Sequence, residues 1–438
     1  MEKLVKTKII KHLISFFFIF VLMFGRSFMG IYIFNFRVGE ITMLISLIFL
    51  LTSLLNYKEF ISEKIISQGF LITLIIIILF FIFNSYYSNS SFINPYTFKA
   101  SSYIWVTGFY FFGIYFSKFH TISIKYLYLL IFLLIYLYYF AVFGLPDFVV
   151  KFFLNTSDKF EPHKGSDLLI LFSSVFFISN RIFNNKRNAF EVFLIFIALY
   201  TPLLLYKSRG AFIGFLIFTI FELSYLIKYL NFNLKRNLII LLIATLVFLQ
   251  SVTFINGSTF VKIENTGENV KYITEYRADP DEEKFKLLYF EEDYWTKEMR
   301  FKSTDNNLNW RLQIWQDVYF DLLYKDLYIT GYGYSNKIPA MERIDRQGWD
   351  RLNENVHNYL VTIYARGGLI HLFLFILFYY FLIRDNKNFS GSWYFIHIFS
   401  ALFFAALFDV AMENSHYPLI FFFLLGLLLN KKEIFKNY

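Results

Sequence analysis

The stretch VFLIFIALYTPLLLYKSRGAFIGFLIFTIF, residues 192–221, contains two apolar runs separated by one polar break at residues 207–210. Each run approaches the roughly 20 apolar residues that a helix needs to cross a hydrocarbon core of about 30 Å. The whole chain has the same character, since 57% of its 438 residues are hydrophobic and only 17% are charged. A soluble fold of this composition has too little polar surface to cover its core. The sequence therefore predicts an integral membrane protein.

The same length criterion predicts an all-α polytopic membrane protein with about twelve transmembrane helices. The predicted spans cover residues 9–25, 38–55, 69–84, 101–117, 124–144, 166–180, 190–206, 211–228, 238–255, 357–383, 392–412 and 416–430. No small-residue cleavage site follows the first span, so we interpret it as a retained helix. The predicted regions are a bundle of about nine spans over 1–255, a partly helical extracytoplasmic loop domain over 256–356, and about three spans with a cytoplasmic tail over 357–438.

The distribution of Lys and Arg sets the predicted orientation. These residues concentrate in the short segments that lie inside if the amino terminus is cytoplasmic, as the positive-inside rule requires. Both termini are then cytoplasmic and the large loop lies outside. The formal net charge of +9 is therefore a signal of membrane orientation, and it does not predict nucleic-acid binding. The absence of Cys excludes disulfides, thiolate metal sites and cysteine nucleophiles.

The polar break in the opening stretch has the features of an anion site. Ser208 stands where an N-cap belongs, so free backbone N–H groups and the positive end of a helix dipole point outward. Arg209 adds a guanidinium beside that helix end, and such a site suits a phosphate group. The alternative is that Arg209 only extends to lipid headgroups. The phosphate interpretation is favoured because Lys207 and Arg209 both lie outside, against the charge trend.

A predicted amphipathic helix in the large loop carries a second arginine. Its apolar residues recur at spacings of three and four, namely Leu308, Leu312, Trp315, Val318, Tyr319, Leu322 and Leu323. Arg311 lies four residues before Trp315 and thus on the same helix face. Arg311 is either a solvated cation stacked on Trp315 or a second cation folded back over the membrane-facing site. The segment GYGYSN, residues 331–336, is typical of a turn.

His357 lies where the loop re-enters the membrane. A histidine at this interface can be an amphipathic anchor, and its near-neutral pKa also makes it a candidate base. Further along the span, Arg366 lies where a charged side chain needs a partner. Asp409 and Glu413 are the predicted partners in a structural ion pair. The glycine pair at residues 367–368 is expected to allow a close helix approach.

The ordered motifs resemble those of the O-antigen ligase and O-antigen polymerase superfamily. The motifs that carry the resemblance are SRGA at 208–211, R-x-x-x-W at 311–315, GYGY at 331–334, HNYL at 357–360 and GGL at 367–369. Each motif is short, and their order around one large, late loop makes the resemblance specific.

This resemblance implies a metal-independent, inverting glycosyltransferase in the bacterial inner membrane with its active site on the periplasmic side. Its donor is a glycan on undecaprenyl pyrophosphate, and its acceptor is a glycan or the lipid A-core. The implied catalytic residues are Arg209, Arg311 and His357, and Ser208, Arg209 and Arg311 bind the pyrophosphate. His357 accepts the proton of the acceptor hydroxyl. No cofactor, metal or nucleic acid is expected, and the remaining histidines show no metal-ligand spacing.

Three alternatives remain at this point. The chemistry is common to polymerases and ligases, and a polymerase is slightly favoured because such proteins are more numerous. A transporter or flippase for the same glycans is a different class. Transporters commonly have repeated halves with broken helices, whereas the two halves of this chain are unlike. A membrane scaffold or sensor, whose loop binds a partner, would tolerate the loss of Arg209.

Overall fold

A computed structural model describes residues 8–63, 65–92, 94–119, 124–161, 163–183, 185–229, 234–256, 260–265, 270–275, 288–293, 297–347, 353–391 and 393–429. Seventeen α-helices lie in these ranges. They are α1 (Lys8–Met29), α2 (Val38–Leu55), α3 (Tyr57–Ser62), α4 (Gln68–Tyr87), α5 (Pro95–Ala100), α6 (Ser102–Trp105), α7 (Gly108–Phe119), α8 (Ile124–Phe143), α9 (Asp147–Thr156), α10 (Gly165–Ile182), α11 (Lys186–Lys207), α12 (Arg209–Leu226), α13 (Leu234–Asn256), α14 (Asn306–Tyr324), α15 (Tyr359–Ser390), α16 (Phe395–Ala406) and α17 (His416–Leu427).

Three short antiparallel hairpins accompany the helices. They pair β1 (Tyr32–Ile33) with β2 (Phe36–Arg37), β3 (Phe260–Asn265) with β4 (Val270–Glu275), and β5 (Leu288–Glu292) with β6 (Met299–Ser303). Two of these hairpins belong to the region between α13 and α15, where a partly helical loop domain is predicted.

Seven of the described helices are long and apolar enough to cross a membrane, and α8 with α9 adds an eighth if this pair, bent by 85°, is one span. The shorter helices α16 and α17, the buried α10 and the broken pair of α6 and α7 coincide with other predicted spans. A helical, polytopic membrane protein is thus confirmed. The number of twelve spans and the side of each terminus stay predictions. The predicted carboxy-terminal tail falls on residues 430–438, outside the described ranges.

Helix α10 forms the centre of the bundle, because every residue from 168 to 180 is buried. It packs against α11, α12 and α17. At its carboxyl end, Arg181 and Glu222 of α12 form a buried ion pair at 2.9 Å, and His397 of α16 hydrogen-bonds to the same carboxylate. Pairing is needed here because an isolated charge in an apolar interior is costly. The amino end of α10 reaches the opposite face of the bundle, where the candidate site lies.

Helix α14 anchors the region between α13 and α15 to the membrane bundle. Its buried residues Ile314, Val318 and Leu322 share an apolar cluster with Ile338, Ala340, Met341, Val356 and Ala365. Ala365 belongs to α15, so α14 lies directly on a membrane helix. The predicted apolar face is correct for Val318 and Leu322, whereas Tyr319 and Leu323 are exposed.

A buried ionic cluster holds the other side of α14. Asp317 accepts hydrogen bonds from Arg300 at 2.5 Å and from Arg346 at 2.8 Å. Arg300 also donates to Glu298 at 2.7 Å. Because one side of α14 is held by paired charges and the other by apolar packing, the helix cannot turn about its own axis. The direction in which Arg311 leaves the helix is therefore fixed.

Helix α15 is broken near its amino end, and residues 328–336, an inserted segment that contains GYGY, fill the break. The backbone N–H of Leu369 donates to the carbonyl oxygen of Tyr328 at 2.9 Å, and the N–H of Gly333 donates to the carbonyl oxygen of Arg366 at 3.1 Å. Groups that lose their helical partners at the break are therefore satisfied by the inserted segment, as buried backbone requires. Gly368 allows a close approach, as predicted for the glycine pair, but to the inserted segment rather than to another helix, whereas a Cβ on Gly367 would meet the side chain of His371 in the same helix.

Arg366 secures the same junction. Its guanidinium donates to the carbonyl oxygen of Asn336 at 2.5 Å and to the hydroxyl of Tyr96 at 3.1 Å. Among the described residues no salt bridge joins Arg366 to Asp409 or Glu413, whose carboxylates accept from Ser166 and Thr362 instead. The predicted ion pair is therefore not formed, because polar groups of the inserted segment and Tyr96 satisfy the guanidinium.

Substitution of Gly368 by Ala is expected to lower the melting temperature of the detergent-solubilised protein far more than Gly391→Ala. Gly368 has φ 65° and ψ −164°, which essentially only glycine adopts, and an added Cβ would lie 2.1 Å from the carbonyl oxygen of Ile329. Gly391 has φ 65° and ψ 13° but no neighbour within 4 Å of an added Cβ. A Cβ at positive φ destabilises both variants by about 1–2 kcal/mol. In Gly368→Ala, overpacking against Ile329 adds about 1–3 kcal/mol. Equal decreases in melting temperature for the two variants would contradict the tight packing of Ile329 against Gly368.

Candidate functional site

The amino end of α12 carries the first predicted site residues. Ser208 caps the helix, as predicted, since its Oγ accepts a hydrogen bond from the N–H of Ala211 at 3.3 Å. A Cβ on Gly210 would lie 2.8 Å from Cβ of Phe408. Glycine therefore allows this helix end to press against the connection between α16 and α17.

Two more helix amino ends reach the same connection, which comprises residues 407–415. Ser166, in the first turn of α10, donates from Oγ to Oδ2 of Asp409 at 2.6 Å. Thr362, near the start of α15, donates from Oγ1 to Oε1 of Glu413 at 2.6 Å. The positive dipole ends of α10, α12 and α15 thus face one region, and such ends favour bound anions.

Arg209 links α12 to α14. Its Nη1 donates to Oδ2 of Asp305 at 2.6 Å, and its side chain is 64% exposed. Asp305 is also the N-cap of α14, where Oδ1 accepts from the N–H of Leu308 at 2.9 Å. Arg209 therefore points toward the helix that carries Arg311, while much of its guanidinium stays accessible.

Arg311 lies deeper than Arg209. It donates from Nη1 to the carbonyl oxygen of Phe408, while its buried Nε has no hydrogen-bond partner among the described residues. Burial lowers the pKa of Arg311, and the charges of Asp409 and Asp305 oppose that effect. The indole N–H of Trp315 donates to the carbonyl oxygen of Val356 at 2.7 Å, and no cation–π contact joins Trp315 to Arg311 among the described residues. Arg311 thus lies against the connection between α16 and α17, and its role as a second cation of the site stays a prediction.

His357 completes the group. It has φ 55°, a left-handed conformation that is uncommon for residues other than glycine and is often found at functional sites. Its ring meets Trp310 edge to face, with centroids 5.0 Å apart. Its Nδ1 is buried without a hydrogen-bond partner among the described residues. Burial and, next, the charge of Arg311 lower the pKa of His357 to about 4, against the charge of Asp409, so the imidazole is neutral at pH 7.

This arrangement brings Arg311 of the large loop and His357 at the end of that loop toward the amino end of α12. Residues 192–376 match the O-antigen ligase family. The match confirms the resemblance to the O-antigen ligase and O-antigen polymerase superfamily and supports a ligase-like or polymerase-like activity in general. A comparison with curated proteins gives no significant match.

The residues that match the family include Arg209, Arg311 and His357, but Asp409 lies beyond them. Asp409 acts electrostatically on both Arg311 and His357, and its Oδ1 accepts from the N–H of Val410 at 2.8 Å. Sequence reasoning considered Asp409 only as a partner of Arg366. No spacing in the chain connects position 409 with position 311 or 357, and only its place at the end of a predicted span marked it.

The described ranges also bear on metal binding. Within them, no group of three or more His, Asp or Glu side chains is arranged to hold a metal ion. The nearest histidines to the site have other contacts: Nε2 of His163 lies 2.7 Å from the carbonyl oxygen of Met23, and Nε2 of His416 lies 2.7 Å from Oδ1 of Asp167. The metal independence that the family resemblance implies stays a prediction.

Proposed function

We propose that this protein is a metal-independent, inverting glycosyltransferase that moves a glycan from undecaprenyl pyrophosphate to a sugar hydroxyl at the periplasmic face of the bacterial inner membrane. One observation carries the proposal. A neutral, buried imidazole with an unpartnered Nδ1 lies beside a partly buried guanidinium, in a region faced by three helix amino ends. A base and an anion site thus lie next to each other.

The two arginines and the helix end of Ser208 bind the pyrophosphate in this proposal. During transfer, the oxygen of the acceptor hydroxyl attacks the anomeric carbon, and the bond from that carbon to the pyrophosphate oxygen breaks. The electron pair of the breaking bond stays on the pyrophosphate, where the guanidinium of Arg311 stabilises the developing charge. Attack from the side opposite the leaving group inverts the anomeric configuration.

His357 takes the proton of the attacking hydroxyl. The charge of Arg311 is one reason why the pKa of His357 lies near 4 in the unliganded site. A bound pyrophosphate offsets that positive charge, and an opposite charge nearby favours the protonated imidazole. Donor binding therefore makes His357 a stronger base when a base is needed.

Two acceptors fit this chemistry. A second carrier-linked glycan gives a polymerase, which we favour slightly, and lipid A-core gives a ligase. Transport of the same glycans is the alternative from another class, and it needs neither a base nor an unpartnered imidazole nitrogen. The lipid bilayer and the lipid-linked glycan are the partners in all three cases.

Loss of Arg209 tests the proposal in the native host. Deletion of the gene, followed by return of the wild type or of Arg209→Ala, is read on a gel of surface lipopolysaccharide and carrier-linked glycan. Arg209→Ala is expected to restore less than about a tenth of the wild-type product, because it removes one of the two cations that bind the leaving group. Arg37→Ala is the matched control, since Arg37 is also a partly exposed arginine paired with an aspartate, Asp158, but belongs to the β1–β2 hairpin.

The gel also separates the acceptors. Core capped by one repeat unit in the deletion strain identifies a polymerase, and bare core with long polymer left on the carrier identifies a ligase. An unchanged pattern directs the search to capsule or other glycans. Full rescue by Arg209→Ala would favour the headgroup interpretation of this arginine over pyrophosphate binding.

A further inference from the structure

Glu413 lies at the site but has no role in the chemistry described so far. It ends the 3-10 turn Ala411–Glu413, and its Oε1 accepts the hydroxyl of Thr362 at 2.6 Å. Assuming the proposed glycosyl transfer, we propose that Glu413 binds the acceptor, with Oε2 of its carboxyl hydrogen-bonded to the acceptor sugar beside the hydroxyl that His357 deprotonates.

The position of Glu413 suits the acceptor side. Asp409 acts electrostatically on both His357 and Glu413, so the imidazole and the carboxyl both lie near this aspartate. Glu413 also hydrogen-bonds to Thr362, which follows His357 by five residues. On α15, Val361 and Ala365 lie in the apolar cluster with α14, the helix of Arg311. Thr362, which binds Glu413, lies on the adjacent face of α15. The carboxyl is therefore near the base and is bound to a face of α15 other than the one that packs on α14.

The cations around Glu413 are engaged elsewhere. Arg366 donates to Asn336 and Tyr96, and Lys99 forms an ion pair with Glu354 at 2.8 Å. Within the described residues no salt bridge reaches Glu413. A carboxylate without a paired cation is costly to bury, so burial favours the neutral form.

The titration of Glu413 agrees with this geometry. Burial raises the pKa of Glu413 to about 7, and the charge of Asp409 acts in the same direction, whereas Thr362, Arg366 and Lys99 oppose it. Below about pH 7 the carboxyl carries its proton. The single hydroxyl proton of Thr362 is shared between Oε1 of Glu413 at 2.6 Å and the carbonyl oxygen of Asn358 at 2.9 Å. In the proposal the carboxyl proton lies on Oε2, the oxygen that does not face Thr362, and is donated to the bound sugar. A neutral carboxyl can both donate and accept, which matches the two-way hydrogen bonding of a sugar hydroxyl.

The test uses the purified full-length protein with a lipid-pyrophosphate glycan as donor and a carrier-linked glycan or lipid A-core as acceptor. Glu413→Ala is expected to raise the KM for the acceptor about tenfold, as for loss of one hydrogen bond to a buried partner, while kcat and the KM for the donor change less than about threefold. Glu413→Gln keeps a donor group and is expected to stay within about threefold of the wild type at pH 6.

The pH dependence separates binding from a structural role. The acceptor KM of the wild type is expected to rise above about pH 7, because the ionised carboxylate no longer donates, while that of Glu413→Gln stays flat. Glu342→Gln, an exposed glutamate of the same loop region, is the control and should follow the wild type.

Three outcomes are distinguishable. A wild-type protein without transfer activity would refute the proposed function itself. Active wild type with an unchanged acceptor KM in Glu413→Ala would overturn the acceptor role alone. A fall in kcat and melting temperature together, in both Glu413→Ala and Thr362→Val, would assign the pair to the stability of α15 and also overturn it.

Discussion

Replacement of His357 by Gln is expected to lower kcat for glycan transfer by about a thousandfold, within the range that positioned general bases contribute. Gln is close to His in size and still hydrogen-bonds, but it cannot hold the proton of the acceptor hydroxyl. The structure favours Nδ1 as the atom concerned, because this nitrogen is buried without a partner among the described residues. Since His tolerates the left-handed backbone at φ 55° better than most residues, the melting temperature of His357→Gln is measured beside its turnover, to show that the fold persists.

The pH profile gives a second test of His357. Its pKa is lowered to about 4, so the neutral form that acts as a base predominates above that value. The ratio kcat/KM for the wild type is therefore expected to stay level as the pH falls from 7 to about 5, and to drop only near pH 4. An unperturbed imidazole would cause the fall near pH 6.5.

The control for His357→Gln is His12→Gln, since His12 is an exposed histidine near the amino end of α1. It should leave turnover unchanged. Wild-type turnover by a folded His357→Gln protein at neutral pH would remove His357 as the base. Asp409 would then be the next group to test, because it lies beside both Arg311 and His357.

Arg311→Ala is expected to lower kcat about a hundredfold, in the range seen when one preorganised donor to a developing anion is removed. The effect should exceed that of Arg209→Ala. Arg311 is largely buried and acts on His357, whereas the side chain of Arg209 is 64% exposed and its charge is screened by water.

Two further variants sharpen the measurement on Arg311. Arg311→Lys keeps the charge but loses the planar guanidinium, so it should recover only part of the activity. Arg236→Ala removes a partly exposed arginine of α13 that pairs with Glu191 and has no contact with the described residues of the site, so it should retain wild-type turnover. If Arg311→Ala changed the donor KM but not kcat, the guanidinium would bind the ground state and transition state equally.

Much of the architecture is determined by the sequence alone. Long apolar runs are local in the chain, and their burial in lipid depends on composition rather than on particular contacts. The cap at Ser208 is local too, because a hydroxyl and an N–H three residues later make it. For the same reason the ordered motifs sufficed to nominate Arg209, Arg311 and His357.

Only the tertiary structure decided which polar groups meet. Arg366 binds the main-chain oxygens of Gly333 and Asn336, in the inserted segment 328–336, instead of a carboxylate. Gly368 marks the break in α15 that this segment fills. Asp409 hydrogen-bonds to Ser166, 243 residues away in the sequence, and Glu413 hydrogen-bonds to Thr362, 51 residues away. No periodicity or spacing encodes such pairs, because they form wherever packing brings a buried donor to a buried acceptor. The sequence could therefore name the charged residues of the site, but their partners and protonation depend on burial that only the folded chain creates.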